Sequence, residues 1–130
     1  MKRNGILNAP LSAGLARLGH LQWVMVTDAG MPLPYATPTV PIVDLALVAG
    51  IPRFTQVLDA VLAELAVESC AAANEARGTV VQDWLSQRGL IPAWAPHDQI
   101  KALLPQCSLV VRTGETTPFA NVALSCGVTF

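Results

Sequence analysis

Two histidines and one aspartate are the side chains of this sequence best suited to move protons. The chain of 130 residues has only two histidines, His20 and His97. Because an imidazole titrates near neutral pH, either ring can act as a general acid or base. Asp28 follows an apolar segment, Trp23–Thr27, that begins shortly after His20. A histidine and a carboxylate flanking one strand can approach each other, so this spacing predicts a proton-transfer pair.

Each histidine also has a structural interpretation. His20 follows Gly19 at the end of a predicted helix, where a cation interacts favourably with the helix dipole. On the residues alone, this interpretation of His20 is favoured over a catalytic one. His97 opens another predicted helix with Asp98 beside it, and a solvated capping residue accounts for it as well as a functional one does.

A run of hydrogen-bonding residues near the C-terminus is typical of a site for an uncharged, polyhydroxylated ligand. Residues 112–121 combine neutral donors and acceptors with one aromatic ring, Phe119. Buried ligand hydroxyls need such partners, and a ring face packs against C–H surface. A hairpin turn rich in turn-forming residues explains the same run equally well. The glycine spacing matches no phosphate-binding loop, which disfavours nucleotide binding.

Composition narrows the function classes further. Eight Lys and Arg against nine Asp and Glu give a net charge of −1, so no basic surface is available to bind nucleic acid. Charged residues make up 13% and apolar residues 52%, which excludes a disordered chain and suggests that apolar surface is buried between subunits. No apolar run reaches the ~18 residues of a membrane span, and no signal peptide is visible, so we expect a soluble, cytoplasmic protein.

The cysteines predict packing and not metal binding. Cys70, Cys107 and Cys126 are widely spaced, and the chain has only two histidines to join them as ligands. We therefore expect no zinc site. Cys70 and Cys126 lie in stretches of small apolar residues and are interpreted as buried small hydrophobic residues.

Alternating helices and strands are predicted to position these residues. Apolar spacing, capping residues and β-branched runs predict helices over 12–19, 54–66, 79–87 and 97–104, and strands over 23–27, 108–113 and 121–125. Residues 31–41, which are rich in proline, predict an extended loop, and residues 67–73 either extend the preceding helix or form a strand. The pattern predicts a single domain over 1–130 of the α/β class, a three-layer α/β/α arrangement with a central, largely parallel or mixed sheet.

Several segments, taken together and in chain order, resemble the D-ribose pyranase family. They are Lys2-Arg3-Asn4-Gly5-Ile6-Leu7-Asn8, Arg17-Leu18-Gly19-His20, Asp28-Ala29-Gly30-Met31-Pro32-Leu33-Pro34, Val43-Asp44-Leu45-Ala46-Leu47, Arg112-Thr113-Gly114-Glu115, Pro118-Phe119-Ala120-Asn121 and Gly127-Val128-Thr129-Phe130. The related fucose mutarotases share the Gly-His and Thr-Gly-Glu elements. They typically have Asp-Ala-His where this chain has Asp28-Ala29-Gly30, so the chain is more similar to the ribose branch.

The resemblance implies an isomerase that interconverts the pyranose and furanose forms of D-ribose by general acid–base catalysis, without a metal or another cofactor. His20 matches the family's proton donor, whereas Asp28, His97 and the segment Phe119-Ala120-Asn121 match substrate-binding positions. Phe119 stands where the family usually has tyrosine, and the 34–44 loop is longer than expected; both bear on the identity of the sugar.

The resemblance also implies a homo-oligomer, a decamer of two pentameric rings in which neighbouring subunits share their sites. Two alternatives remain open at this stage. One is a non-catalytic sugar-binding module that has the same pocket, and the other is a mutarotase that acts on a different monosaccharide such as fucose.

Overall fold

The computed structural model describes residues 1–35 and 39–130. Its helices and strands, in chain order, are α1 (Ala9–Ala16), β1 (Trp23–Thr27), β2 (Ile42–Asp44), α2 (Phe54–Leu62), β3 (Val67–Ala73), α3 (Val80–Gln87), β4 (Ala93–Ala95), α4 (His97–Leu103), β5 (Leu109–Arg112) and β6 (Val122–Cys126). Residues 36–38 of the predicted loop lie outside the described residues. The described parts of that loop, 31–35 and 39–41, contain no helix or strand, as predicted.

One mixed sheet forms the centre of the fold. Its strand order is β2-β5-β1-β6-β3-β4. β1 is parallel to β5, and β2 to β5, whereas β6 runs antiparallel to both of its neighbours, β1 and β3. The alternative for residues 67–73 is thereby resolved: they form a strand, β3, paired with β4 and β6.

Helices cover both faces of this sheet. Alternate residues along the central strands point to opposite sides, as the strand period of two requires: Val24 and Val26 contact the cluster built by α1, α2 and α3, while Met25 contacts the cluster that includes α4. Each layer therefore buries its apolar stripe against the sheet. The predicted three-layer α/β/α class with a mixed sheet is confirmed.

Two predicted helices have different boundaries. The first both begins and ends earlier, at Ala9 and Ala16. It begins there because Asn8 caps it by accepting a hydrogen bond from the backbone N–H of Leu11 at 2.9 Å, and Pro10 occupies its first turn. Proline is favoured there since the first N–H groups of a helix have no partner within it. The 54–66 helix ends earlier, at Leu62, because the chain must turn back to enter β3 at Val67.

The connection from β5 to β6 is not a hairpin. β1 lies between these two strands, so residues 113–121 must cross over the end of β1 to reach β6. The hairpin interpretation of residues 112–121 is therefore wrong. It failed because a turn-rich sequence predicts a change of direction but not which strands flank it. The crossing places this polar segment, which we name the crossing loop, directly above the end of β1.

Candidate functional site

A cavity of about 390 Å³ opens where β1 ends and the crossing loop passes over it. We name it the site cavity. Asp28 and the residues that follow it form one wall, the crossing loop forms a second, and His97, at the start of α4, forms a third. The lining residues are Asp28, Ala29, Gly30, Met31, His97, Glu115, Thr116, Thr117, Pro118 and Phe119. The structure thus brings together three of the predicted site residues, Asp28, His97 and Phe119.

Asn121 fixes the position of Asp28. Its side-chain amide donates to Oδ2 of Asp28 at 2.9 Å, and its Oδ1 accepts from the backbone N–H of Asp28, also at 2.9 Å. Oδ1 of Asp28 in turn accepts from the N–H of Gly30 at 3.0 Å. Asn121 is fully buried and does not line the site cavity. Sequence reasoning made it a substrate-binding residue, but within the subunit its side chain is occupied in holding Asp28.

The crossing loop is anchored at its start to the end of β1. Thr113 donates through its backbone N–H and its hydroxyl to the carbonyl of Thr27, at 3.0 and 2.8 Å. Gly114 then packs so closely on the neighbouring backbone that a Cβ there would lie 2.2 Å from the carbonyl oxygen of Ile51. Only glycine fits at this close approach. These contacts explain the Thr-Gly pair structurally.

Glu115 ties the crossing loop to helix α2. Oε2 accepts from the N–H of Phe54 at 3.1 Å, and Oε1 accepts from the N–H of Thr116, the N–H of Thr117 and the Thr117 hydroxyl at 2.9–3.1 Å. Burial by itself would raise the pKa of this carboxyl, but the hydrogen bonds from Thr117, Phe54 and Thr116 outweigh it and the pKa is lowered. Glu115 is therefore an ionised structural anchor beneath the cavity.

His97 and Phe119 face each other across the cavity wall. Their ring centroids are 5.1 Å apart with planes at 82°, an edge-to-face pair. Nδ1 of His97 is buried and has no hydrogen-bond partner among the described residues. The backbone N–H of His97 donates to the carboxylate of Glu75 at 3.0 Å, so the start of α4 is held in place.

Phe119 adopts an unusual backbone conformation. Its φ is +62°, in the left-handed region that bulky residues avoid. The N–H of Asn121 donates to the carbonyl of Phe119 at 2.8 Å, and Ala120 between them is fully buried. The three residues of the predicted segment therefore have different roles: Phe119 lines the cavity, Ala120 packs in the core and Asn121 holds Asp28.

His20 lies away from the site cavity. It precedes β1, whereas Asp28 follows it, and a strand of this length alone spans about 13 Å at ~3.3 Å per residue. Nε2 of His20 contacts Oε2 of Glu68 at 2.8 Å, and the ring lines a separate hollow of about 270 Å³, the histidine hollow. Within one subunit the expected approach of His20 to Asp28 is wrong, because the extended strand keeps its two ends apart.

Arg112 supports the site, although sequence patterns alone gave it no role of its own. Its guanidinium donates to the carbonyl of Ala29 through Nε and Nη2 at 3.1 and 3.0 Å, and through Nη1 to both oxygens of Asp44. Asp44 also accepts from the Tyr35 hydroxyl. Burial opposes ionisation of Asp44, but its hydrogen bonds to Ala46 and Tyr35 and the charge of Arg112 hold its pKa below the usual range. The pair secures the wall that follows Asp28.

The three cysteines are buried free thiols, which confirms the packing interpretation of Cys70 and Cys126. Among residues 1–35 and 39–130, no three His, Cys, Asp or Glu side chains lie close enough together to hold a metal ion. Over the same residues, no helix is both long and apolar enough to span a bilayer.

A half-open cavity lined by two carboxylates, one imidazole, one aromatic ring and neutral hydroxyls, at the end of a mixed α/β sheet, is typical of a domain that binds small polar ligands. Comparison with known proteins shows which family this domain belongs to. The model of the RbsD / FucU transport protein family matches residues 1–129. The D-ribose pyranase of Cutibacterium acnes is 47% identical over 130 residues, an alignment that covers all of both chains. The chain belongs to the RbsD / FucU family.

Solved structures agree with this assignment. Bacillus subtilis RbsD complexed with D-ribose has a TM-score of 0.90 to this chain at 36% identity, with 100% of each chain covered. The fucose mutarotase of Streptococcus pneumoniae in complex with L-fucose has a TM-score of 0.76 at 18% identity, covering 95% of each chain. The latter likeness is one of fold alone.

Proposed function

We propose that this protein is a D-ribose pyranase, an isomerase that interconverts the pyranose and furanose forms of D-ribose. The observation that carries the proposal is the full-length similarity to relatives of that name, together with a structure of 36% identity that was solved with D-ribose. The site cavity suits such a ligand, since it offers the Asp28 carboxylate and neutral hydroxyls, with no lysine or arginine in its lining to bind a phosphate. The unit of function is the single domain over 1–130.

The reaction needs two proton movements and no redox step. Opening a cyclic hemiacetal removes a proton from the anomeric hydroxyl and delivers one to the ring oxygen, and closure through a different hydroxyl reverses both. Asp28, held by Asn121, accepts hydrogen bonds from sugar hydroxyls, and His97 lines the same cavity. Phe119 packs against the C–H surface of the ring. These residues bind and orient the sugar, and no metal or other cofactor is assigned a part.

We assign proton transfer to His20, supplied by a neighbouring copy of the chain. Because β1 separates His20 from Asp28, one subunit cannot form the complete site. The copies in our proposal are those of a homodecamer of two pentameric rings. The apolar helix α2 does not support assembly, since Val57, Leu58 and Val61 pack inside the subunit.

A different surface supports subunit contact next to the site cavity. Leu47 and Val48 are 77% and 57% exposed, and they line a hollow that shares Ala29 and Thr116 with the site cavity. A neighbour seated there would bury these side chains beside the ligand. Light scattering at micromolar concentration tests the assembly, and a monomeric mass contradicts the shared site.

The second candidate is a non-catalytic sugar-binding module. The position of His20 outside the site cavity favours it, because a lone subunit then binds sugar without the residue assigned to proton transfer. Saturation-transfer NMR of D-ribose separates the two: exchange between pyranose and furanose signals at catalytic protein concentration supports the isomerase, whereas broadening without exchange supports the binder. Repeating the measurement with L-fucose tests the other sugar.

A mixing experiment tests the shared site. His20→Ala subunits should lose most exchange, since general acid–base catalysis contributes ~10²–10⁴-fold. Asp28→Asn subunits should also lose exchange, because a neutral amide accepts hydrogen bonds from sugar hydroxyls less strongly than a carboxylate does. When both are unfolded, mixed in equal amounts and reassembled, about one quarter of the sites combine two intact halves if neighbours share each site. No recovery of exchange in the mixture would contradict a shared site. Gln106→Ala, a change on the exposed surface, is the matched control.

The Phe119→Tyr variant tests the choice of sugar. A hydroxyl that finds a sugar oxygen contributes about 0.5–1.5 kcal/mol, so ribose exchange should stay equal or rise. A large loss would show that the cavity is shaped for a different ligand.

Finally, we assign the protein to the cytoplasm, where its three buried free thiols suit a reducing compartment.

A further inference from the structure

We propose that Glu68 is a positioning residue for His20, fixing the imidazole in the tautomer that carries its proton on Nε2 and leaves a lone pair on Nδ1. This inference rests on the proposed function only in giving His20 a ligand to meet. The carrying observation is the 2.8 Å contact between Nε2 of His20 and Oε2 of Glu68. An ionised carboxylate can only accept hydrogen bonds, so the imidazole nitrogen that contacts it must be the donor.

A shift in strand register places the side chain of Glu68 opposite that of His20. Val67 of β3 pairs with Cys126 and Ser69 pairs with Ser125, so the register shifts at Glu68. A residue at such a bulge leaves the regular ladder, and its side chain is re-aimed. Glu68 lies at the start of β3, at the same end of the sheet as the residues that precede β1, and its side chain meets His20 there.

Backbone hydrogen bonds also fix the segment that carries His20. Leu21 donates through its N–H to the carbonyl of Cys126 at 2.8 Å, and the N–H of Cys126 donates to the carbonyl of Gln22 at 2.9 Å. The N–H of Gly127 donates to the carbonyl of Ala66 at 2.7 Å. The segments carrying His20 and Glu68 are therefore both bonded to one stretch of chain, 126–127.

Backbone strain occurs next to His20. Leu21 has φ of +64°, in a region that a leucine rarely adopts, and its side chain is 60% exposed, so packing of that side chain does not account for the conformation. Strained backbone persists only where surrounding contacts impose it, and it concentrates at functional sites. Here the strained residue turns the chain so that the His20 ring lines the histidine hollow with Glu68, Gly127 and Val128.

The chemical consequence concerns which nitrogen reacts. With Nε2–H committed to Glu68, Nδ1 is the ring nitrogen free to take the proton of a sugar hydroxyl. As it does so, the imidazolium that forms remains next to the carboxylate, which stabilises its charge. Glu68 thus supplies the carboxylate that Asp28 was expected to bring to His20, and Asp28 keeps its place in the site cavity.

Long-range ¹H–¹⁵N spectra of labelled protein test the tautomer directly, recorded at pH about 8.5, above the ordinary imidazole range. We expect the His20 pattern of an Nε2-protonated ring in the wild type and a mixture of tautomers in Glu68→Ala. The same variant should lose at least about tenfold in kcat for ribose exchange, with KM little changed, because orientation of the general base is lost. Asp83→Asn, which changes an exposed carboxylate on helix α3, should change neither readout.

An Nδ1-protonated His20 in the wild type, or an unchanged tautomer in Glu68→Ala, overturns the proposal. Glu68→Gln provides a check on folding: its amide matches the size of the carboxylate but no longer demands a donor from the ring, so the tautomers should again mix while thermal unfolding is unchanged. If the wild type shows no ribose exchange yet has the Nε2-protonated ring and loses it in Glu68→Ala, the proposed isomerase fails and the positioning role stands.

Discussion

Replacing Asn121 with alanine removes the two hydrogen bonds that hold Asp28, and the structure allows their loss to be estimated. The bond from the Asp28 N–H to Oδ1 is between neutral groups and contributes about 0.5–1.5 kcal/mol, whereas the bond from the amide to the carboxylate contributes about 1.5–3 kcal/mol. Asp28 is half-buried, so water replaces part of both. We therefore expect Asn121→Ala to lower the free energy of unfolding by about 2–3 kcal/mol.

Ribose exchange should fall in the same variant, because Asp28 is no longer held against the cavity. A double-mutant cycle with Asp28→Ala shows whether the effect passes through Asp28. Urea unfolding measures stability, and saturation-transfer NMR measures the exchange rate. If Asn121 acts only by holding Asp28, the double variant exchanges ribose no more slowly than Asp28→Ala does. Rate losses that multiply in the double variant would refute this reasoning and show that Asn121 contacts the sugar independently.

Three further outcomes follow from contacts around the site. Gly114→Ala should cost about 3 kcal/mol or more in urea unfolding, since its Cβ would meet the Ile51 backbone at 2.2 Å. Because the pKa of Glu115 is lowered in the folded protein, its charge stabilises the fold fully above the ordinary carboxyl pKa, and this stabilisation is lost as pH falls through the lowered value. Glu115→Gln should therefore be less stable than wild type at pH 7 in urea unfolding. In acid, the stabilities of the two proteins should converge. Burial raises the pKa of the Cys107 thiol to about 12, so iodoacetamide at neutral pH should label it only after unfolding, as peptide mass mapping would show.

The parts of the fold that could be predicted are those encoded by neighbouring residues. Trp23–Thr27 and Leu109–Arg112 form strands because their apolar and β-branched residues suit a sheet buried on both faces. Thr79 caps α3 by accepting from the N–H of Val81, a local signal that a short window contains. Asn8 was missed as a cap because Ser12 offered a second capping residue one turn later, inside what is one continuous helix.

Contacts between distant residues could not be predicted in this way. His20 and Glu68 are 48 positions apart, and Arg112 and Asp44 are 68 apart. The sequence around Glu68 does not predict a bulge, because the bulge is a property of the pairing between β3 and β6. Asp28, His97 and Phe119 were candidates from their residue types, and the family resemblance gave them substrate-binding roles. The holding role of Asn121, in contrast, depends on a strand order that residue patterns do not specify.

The anchoring of the crossing loop has a consequence for how this protein can evolve. Both ends of the loop attach to consecutive residues of one strand end, Thr113 to Thr27 and Asn121 to Asp28. Between these anchors, the side chains of Thr116 and Pro118 are exposed and line the cavity without joining the core. Mutations at these two positions can therefore reshape the ligand pocket while the sheet and its packing stay intact, so that new sugar preferences can arise by single substitutions at little risk to folding.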